Sequence, residues 1–464
     1  MKRRPAKKTG PTILIVILLV LLLLVALIYA PVWDTAPPDV TDLAIARTEV
    51  PLEQNAYTYF LQATNALRNH PDFSLSQYLL GQTNDEAQVS AFIATNREVV
   101  AWIRRGVACG ECQAPAFEGG PEGILNHPVH AFIDKGRLLA TQARYDQLRG
   151  DMREAVDATL LLLGFGDRLV SASESIIEYL CSHAVLGLGL ERAADLASDA
   201  RCDATERGRL AAALAELSFL RQGMANSARG EYVFSMKLLE QTRSGGTYLS
   251  YADYWGVSKF KRAVLLIVTR IACTPNYFIQ YNRTMRMMAA NYRLLAAYAS
   301  CAYADHPLRA SATSAAISGD SSTAEGLLAK RIQPHRSRLP LANALGERLW
   351  SATAGTLDAV VRNGCRQECH LAATRLILAC RAYEEAAGHL PATLEALVPD
   401  YLPAVPRDPF DGQPFRYSAE KRIVYSVGEN LTDDGGDEGR ERGRRRAKDL
   451  VFKLFTHEPE TTAE

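Results

Sequence analysis

Residues 380–436 read CRAYEEAAGHLPATLEALVPDYLPAVPRDPFDGQPFRYSAEKRIVYSVGENLTDDGG, and here the chain changes character. A helical pattern ends at Gly388, a residue suited to the left-handed backbone that closes a helix. A short helix follows, then Asp408-Pro409-Phe410, in which Asp408 caps a turn and Pro409 fixes the backbone ahead of a strand. Segments 414–417 and 422–427 are β-rich and flank a charged turn, Ala419-Glu420-Lys421. A third strand is expected over 448–454. Between the second and third strands lies an acidic glycine loop holding Glu429, Asn430, Asp433, Asp434, Asp437 and Glu438, with Gly435 and Gly436 among them.

Upstream, residues 39–390 are rich in Ala, Leu and Arg and read as helix after helix. Pro51 suits a first helical position. Behind it Ala56, Tyr59, Phe60, Ala63 and Leu67 recur at helical spacing, and His70-Pro71 ends that helix. The clearest unit spans Leu138, Leu139, Ala143, Tyr145 and Leu148, then Gly150-Asp151, then Ala155, Val156, Leu160 and Leu163. This is an antiparallel helical hairpin with a Gly-Asp turn. It looks like a tetratricopeptide-type unit, but the pattern does not recur at a regular period of about 34 residues. Asp203 with Glu206 resembles a capping box. Residues 241–258 read as a looser stretch and 311–322 as a loop. The apolar run 263–273 is too short to span a bilayer and reads as buried core.

Outward from the helical region lies the N-terminus. Lys2, Arg3, Arg4, Lys7 and Lys8 precede an unbroken apolar run over 13–30. As a helix that run is about 27 Å long, close to the thickness of a hydrocarbon core. It exceeds the h-region of a cleaved signal peptide, and Pro31 follows the one suitable small residue, Ala30. The first charges after it are Asp34, Asp39 and Asp42. Positive-inside logic places the N-terminus in the cytoplasm and the bulk outside.

The C-terminal stretch resembles the globular region of the major pseudopilins of type II secretion systems, over residues 380–454. The resemblance implies a bacterial inner-membrane protein facing the periplasm. It also implies a calcium loop, with Asp433, Asp434 and Asp437 as carboxylate ligands and a backbone carbonyl near Leu431. Hard calcium takes six to eight oxygen donors, which carboxylates and carbonyls on a flexible glycine loop supply. The leader pattern of that family does not accompany the tail: Gly10 is followed by Pro11, and the fifth residue after it is Ile15.

The expected fold is mainly α: a transmembrane helix, an irregular α-helical hairpin domain, and a small α/β tail with a short antiparallel sheet. The expected organisation is a basic cytoplasmic segment over 1–11, the anchor over 12–30, and an extracytoplasmic helical domain over 31–390. The pseudopilin-like subdomain then covers 391–454, and a disordered end 455–464.

Chemistry is sparsely marked. Lys and Arg number 52, Asp and Glu 52, so no charge bias argues for nucleic acid. The arginines at 440, 442, 444, 445 and 446 read as a solvated linker. Nine cysteines include Cys109/Cys112 and Cys365/Cys369, the latter beside His370. Two such pairs suit zinc or redox chemistry. Cys369, Ala373, Leu376, Cys380 and Tyr383 equally form an apolar helical stripe, in which cysteine is a small core residue. His127, His130 and Asp134 lie close together but read as a helix boundary. HExxH, GxSxG, Walker and dinucleotide-binding motifs are absent. The expected role is therefore interaction or scaffolding with envelope protein partners, with secretion machinery the setting that the resemblance implies. A membrane-tethered enzyme with a groove in the helical domain is the alternative.

Overall fold

The computed structural model describes residues 15, 17–22, 34–45, 47, 49–68, 74–82, 85–115, 129–217, 219–243, 280–297, 303, 343–439 and 448–455. The expected anchor over 12–30 lies outside these residues except for an exposed helical piece at 15 and 17–22. Among the described residues no helix is long and apolar enough to cross a membrane. Residues 263–273, 311–322, 440–446 and 456–464, with Cys273 and Cys301, also lie outside.

Helices α1 (Ala56–Ala66), α2 (Leu75–Leu79), α3 (Glu86–Thr95) and α4 (Arg97–Val107) open the body. Asn55, not Pro51, starts α1: its side chain accepts from the Tyr57 N–H, 3.1 Å away. Pro51 instead precedes a 3-10 turn over Leu52–Gln54. A polar side-chain acceptor satisfies one of the free N–H groups of the first turn, which proline cannot do.

The expected hairpin is present. Helix α5 (Val129–Arg149) turns through Gly150, at φ +86°, and Asp151 into α6 (Met152–Ser171). Helix α7 (Ile176–Ser198) packs on both. At the α6–α7 crossing a Cβ on Gly166 would lie 2.6 Å from the Leu186 Cα, so the close approach requires glycine. Helix α8 (Ala204–Glu216) opens as read, with Asp203 accepting from the Glu206 N–H at 2.9 Å. Helices α9 (Phe219–Arg243), α10 (Tyr281–Ala297) and the 44-residue α11 (Ala344–Ala387) complete the body. Helix α9 runs through Arg243, three residues into the stretch expected to be loose.

Two clusters form the core. In one, Phe60, Phe132 and Phe165 meet edge to face, with centroids 4.7 Å apart for Phe60–Phe165. The other runs from Leu186 and Tyr292 through Cys365, Cys369 and Leu376 of α11 to Phe410, Val424 and Leu454. The core is thus continuous from the helical body into the tail.

Helix α11 ends at Gly388, at φ +78°, whose N–H reaches the Glu384 carbonyl at 2.8 Å. The short helix expected next is a 3-10 turn, Leu394–Leu397. Strands β1 (Arg416–Ser418), β2 (Ile423–Ser426) and β3 (Leu450–Lys453) form an antiparallel sheet in the order β1-β2-β3. Tyr417 faces Val424, and Val424 faces Phe452. The first strand begins two residues later than expected, because Pro414 has no N–H for a ladder and pairs alone with Arg407. Phe455 is still packed, with the Arg381 guanidinium 4.6 Å from its ring centroid.

His183 of α7 is 3% exposed, lies against Tyr179, and finds no hydrogen-bond partner for either ring nitrogen among the described residues. Burial pulls its pKa down to about 3 from an ordinary 6.5. The unfolded chain takes up this proton at higher pH than the fold does. The contribution is complete above pH 6.5 and is lost as pH falls toward 3, by up to about 1.4 kcal/mol per pH unit. Urea titrations of His183→Leu at pH values from about 7 to 4 are expected to show a shallower acid loss than wild type. Parallel slopes would place the acid sensitivity elsewhere.

Candidate functional site

The tail is organised on Asp408, which is fully buried. One carboxylate oxygen accepts from the Phe410 N–H and the Ser426 hydroxyl, both at 2.9 Å, and from the Cys369 thiol at 3.9 Å. The other accepts from the Val427 N–H at 2.9 Å and from Arg416 at 3.2 Å. Burial pushes the carboxyl pKa up, and the two backbone N–H groups and Ser426 oppose that rise. Asp408 does cap its turn, as read, and it also reaches α11 and the end of β2. Pro409 holds a carbonyl toward the Cys365 thiol and the Tyr303 N–H.

The acidic loop leaves β2 through Gly428 and Leu431, both left-handed at φ +60° and +58°. Asp433 accepts from the Tyr425 hydroxyl at 3.2 Å and the Gly435 N–H at 3.0 Å. Asp434 accepts from the Asn430 amide at 2.7 Å. Asp437 accepts from the Gly439 N–H at 2.7 Å and from the Lys448 ammonium at 2.6 Å, and Lys448 draws its pKa down. Lys421 donates to the Gly435 carbonyl at 2.6 Å. The donor chemistry suits a hard cation, but each of the three carboxylates is engaged by a protein donor. Among the described residues no group of three or more His, Cys, Asp or Glu side chains is arranged to hold a metal.

Sequence reading missed the residue at the centre of this loop. Asp449, 2% exposed, accepts from the Gly436 N–H at 2.7 Å and the Asp434 N–H at 3.1 Å. Burial pushes its pKa up. Its one sequence signal is an acid placed immediately before an apolar strand. Glu429 was read as a loop acid; instead it pairs with Arg362 and Arg366 and ties the loop to α11.

The cysteine pairs are not assembled into one site. Cys365, Cys369 and Cys380 are core residues on one face of α11, and every described cysteine is a free thiol. Burial pushes Cys112 up to about 12, the opposite of an activated thiolate. His370 packs edge-on against Phe452. His127 lies outside the described residues, and Asp134 pairs with Arg137 at 3.1 Å.

A cavity of about 350 Å³ beside Ala44, Ile45 and Arg47 collects acids from the helical domain. Glu174 pairs with Arg47, Glu178 accepts from the Glu174 N–H at 2.8 Å, and Glu231 accepts from the Ile176 N–H at 3.0 Å. Burial raises the pKa of Glu174 and Glu231. The Glu178 and Glu231 carboxylates, with the Ser175 hydroxyl that accepts from the Glu178 N–H at 3.2 Å, close the N-terminus of α7, where negative charge is favoured. Compared with protein-family models, curated proteins and solved structures, the chain has no match.

Asp408→Ala leaves the buried Ser426 hydroxyl and the Phe410 and Val427 N–H groups short of an acceptor, while half-buried Arg416 keeps Asp411. A loss of about 3 kcal/mol or more is expected from urea unfolding. Asp434→Ala, at a half-buried position of the acidic loop, is expected to cost about 1 kcal/mol or less.

Proposed function

We propose that the chain is a single-pass bacterial inner-membrane protein, N-terminus inside, whose periplasmic body scaffolds envelope protein partners, with secretion machinery the setting suggested by its tail. One observation carries this reading. From Asp34, four residues past the end of the apolar run in sequence, the chain is fastened to the body through to Leu43. Asp34 accepts from the Asn282 and Arg283 N–H groups at 2.6 and 3.1 Å, capping α10. Asn282 and Arg286 bind the carbonyls of Thr35 and Ala36, at 2.7 and 2.8 Å. Arg293 forks onto the Asp42 carboxylate at 2.8 and 2.6 Å and reaches the Asp39 carbonyl at 2.7 Å. A body that holds its own N-terminal segment fixed on α10 from Asp34 onward is suited to presenting partners in a set arrangement, which supports a scaffold. Glu174, Glu178 and Glu231, the acids gathered around the cavity beside Arg47, serve a helix end and an ion pair, which favours a non-enzymatic role.

Alkaline extraction of membranes tests the anchor. The full chain is expected in the pellet and a chain starting at Asp34 in the supernatant; release of the full chain would remove the anchor from the reading. Photocrosslinkers placed on exposed positions of α3 and α9 are expected to trap a small, reproducible set of envelope proteins. Absence of adducts at every position would count against a scaffold.

Calcium enters the proposal as a structural ligand of the loop, with Asp433, Asp434, Asp437 and the Leu431 carbonyl as its oxygen donors. It would compete with Lys448 for Asp437. Calcium is expected to raise the melting temperature, with the rise reversed by chelator and lost in an Asp433→Ala, Asp434→Ala double variant. An unchanged melting temperature would leave the loop ordered by its own lysines.

A further inference from the structure

A second cavity, about 470 Å³, lies between α8, α11 and the proline-rich segment 401–406. Its volume is within the range of small-molecule sites. One wall is a helical stripe of small residues on α8: Ala204, Gly208, Ala211 and Ala215. These positions are exposed, and a Cβ added at Gly208 would meet nothing within 4 Å. The opposite wall is Leu378, Ala379 and Ala382 of α11, and Leu402, Pro403 and Pro406 close the end. The walls are apolar.

Two guanidinium groups interrupt them. Arg207 is 5% exposed and neutralised by Glu385, with a further bond to the Cys202 carbonyl. Arg375 differs. It donates to the Leu214 carbonyl at the end of α8, but no carboxylate faces it among the described residues. Its Nε is buried and donates to nothing described. Burial disfavours its charge, and no acid offsets that effect. Closing the end of α8 accounts for one N–H of the fork and leaves the charge uncompensated. A planar guanidinium matches a carboxylate or phosphate oxygen pair, and because Nε is enclosed, the terminal N–H groups left after the Leu214 bond are the ones for a headgroup.

We infer that this cavity binds a small anionic amphiphile, with Arg375 receiving a single negative headgroup and the α8 and α11 walls covering an aliphatic or similar apolar body. The net lining charge is one positive: two arginines against Glu385. A free inorganic anion would leave the apolar walls unused, and a neutral amphiphile would leave Arg375 unmatched. The two recognition elements belong to one molecule.

The test is calorimetric titration of the purified full chain, held in amphipol, with octanoate, octanol and inorganic phosphate as separate probes. Octanoate is expected to bind at one site per chain, at least about tenfold tighter than either octanol or phosphate. Arg375→Gln is expected to weaken octanoate by about tenfold or more and to leave octanol unchanged. Because Arg375 also closes α8, a second variant is needed. Ala211→Trp, at an exposed position, fills the cavity and is expected to abolish octanoate and octanol binding with the fold and Arg375 intact. Its residual heats also give the partitioning into amphipol. The inference is overturned by any of three results: no octanoate site above that background, phosphate binding as tightly as octanoate, or octanoate binding that survives Ala211→Trp.

Discussion

Asp408 is a charge-bearing group with no exposure to water, and the tail depends on how its two oxygens are satisfied. The donors come from four places: the turn it starts, the end of β2, Arg416 on β1, and a thiol on α11. Removing a carboxylate from water is costly, and it is tolerated only where donors surround it. Four of the five donors belong to the tail, and the α11 thiol completes the set when the sheet is seated on that helix. The burial of one acid thus couples local turn geometry to the docking of the tail, and Phe410, two residues on, is driven into the same core. Strand pairing alone would hold three short strands weakly, since such small sheets need a surface to pack on.

Much of the fold was legible where the signal is local. Gly150-Asp151 between two helical periods, Gly388 after a long one, and Asp203 ahead of Glu206 each act within a few residues, and each does in the structure what its chemistry implies. Pro51 misled because the turn it opens is a separate 3-10 turn that ends at Gln54, and Asn55 then caps the helix by offering an acceptor. Pro414 misled because β composition was counted without the ladder N–H that proline lacks.

The candidate sites were less legible, for a physical reason. Asp433, Asp434 and Asp437 stand out as a cluster in sequence, yet their partners Tyr425, Asn430 and Lys448 decide what those carboxylates do. Asp449 does not stand out, because its role comes from two loop N–H groups folded back onto it. The arginine-bearing cavity is assembled from three segments more than a hundred residues apart at the extremes, and neither the α8 alanines nor Arg375 carries a recognisable pattern. Glu174 and Glu178 at the start of α7 likewise carry no sequence pattern, and only the fold brings Arg47 and Glu231 to that helix end.

The strap over residues 34–42 runs alongside α10 in the same direction, from its contact with Asn282 to its contact with Arg293. That geometry has a mechanical meaning. Tension applied along the strap from its N-terminal side loads these contacts in shear, so they resist together and do not peel one by one. The carboxylate at the first contact also sits on the exposed N–H groups of α10, so the load passes into a helix along its axis, the direction in which its hydrogen bonds lie. A body attached in this way would transmit a pull to its centre before its edge came loose.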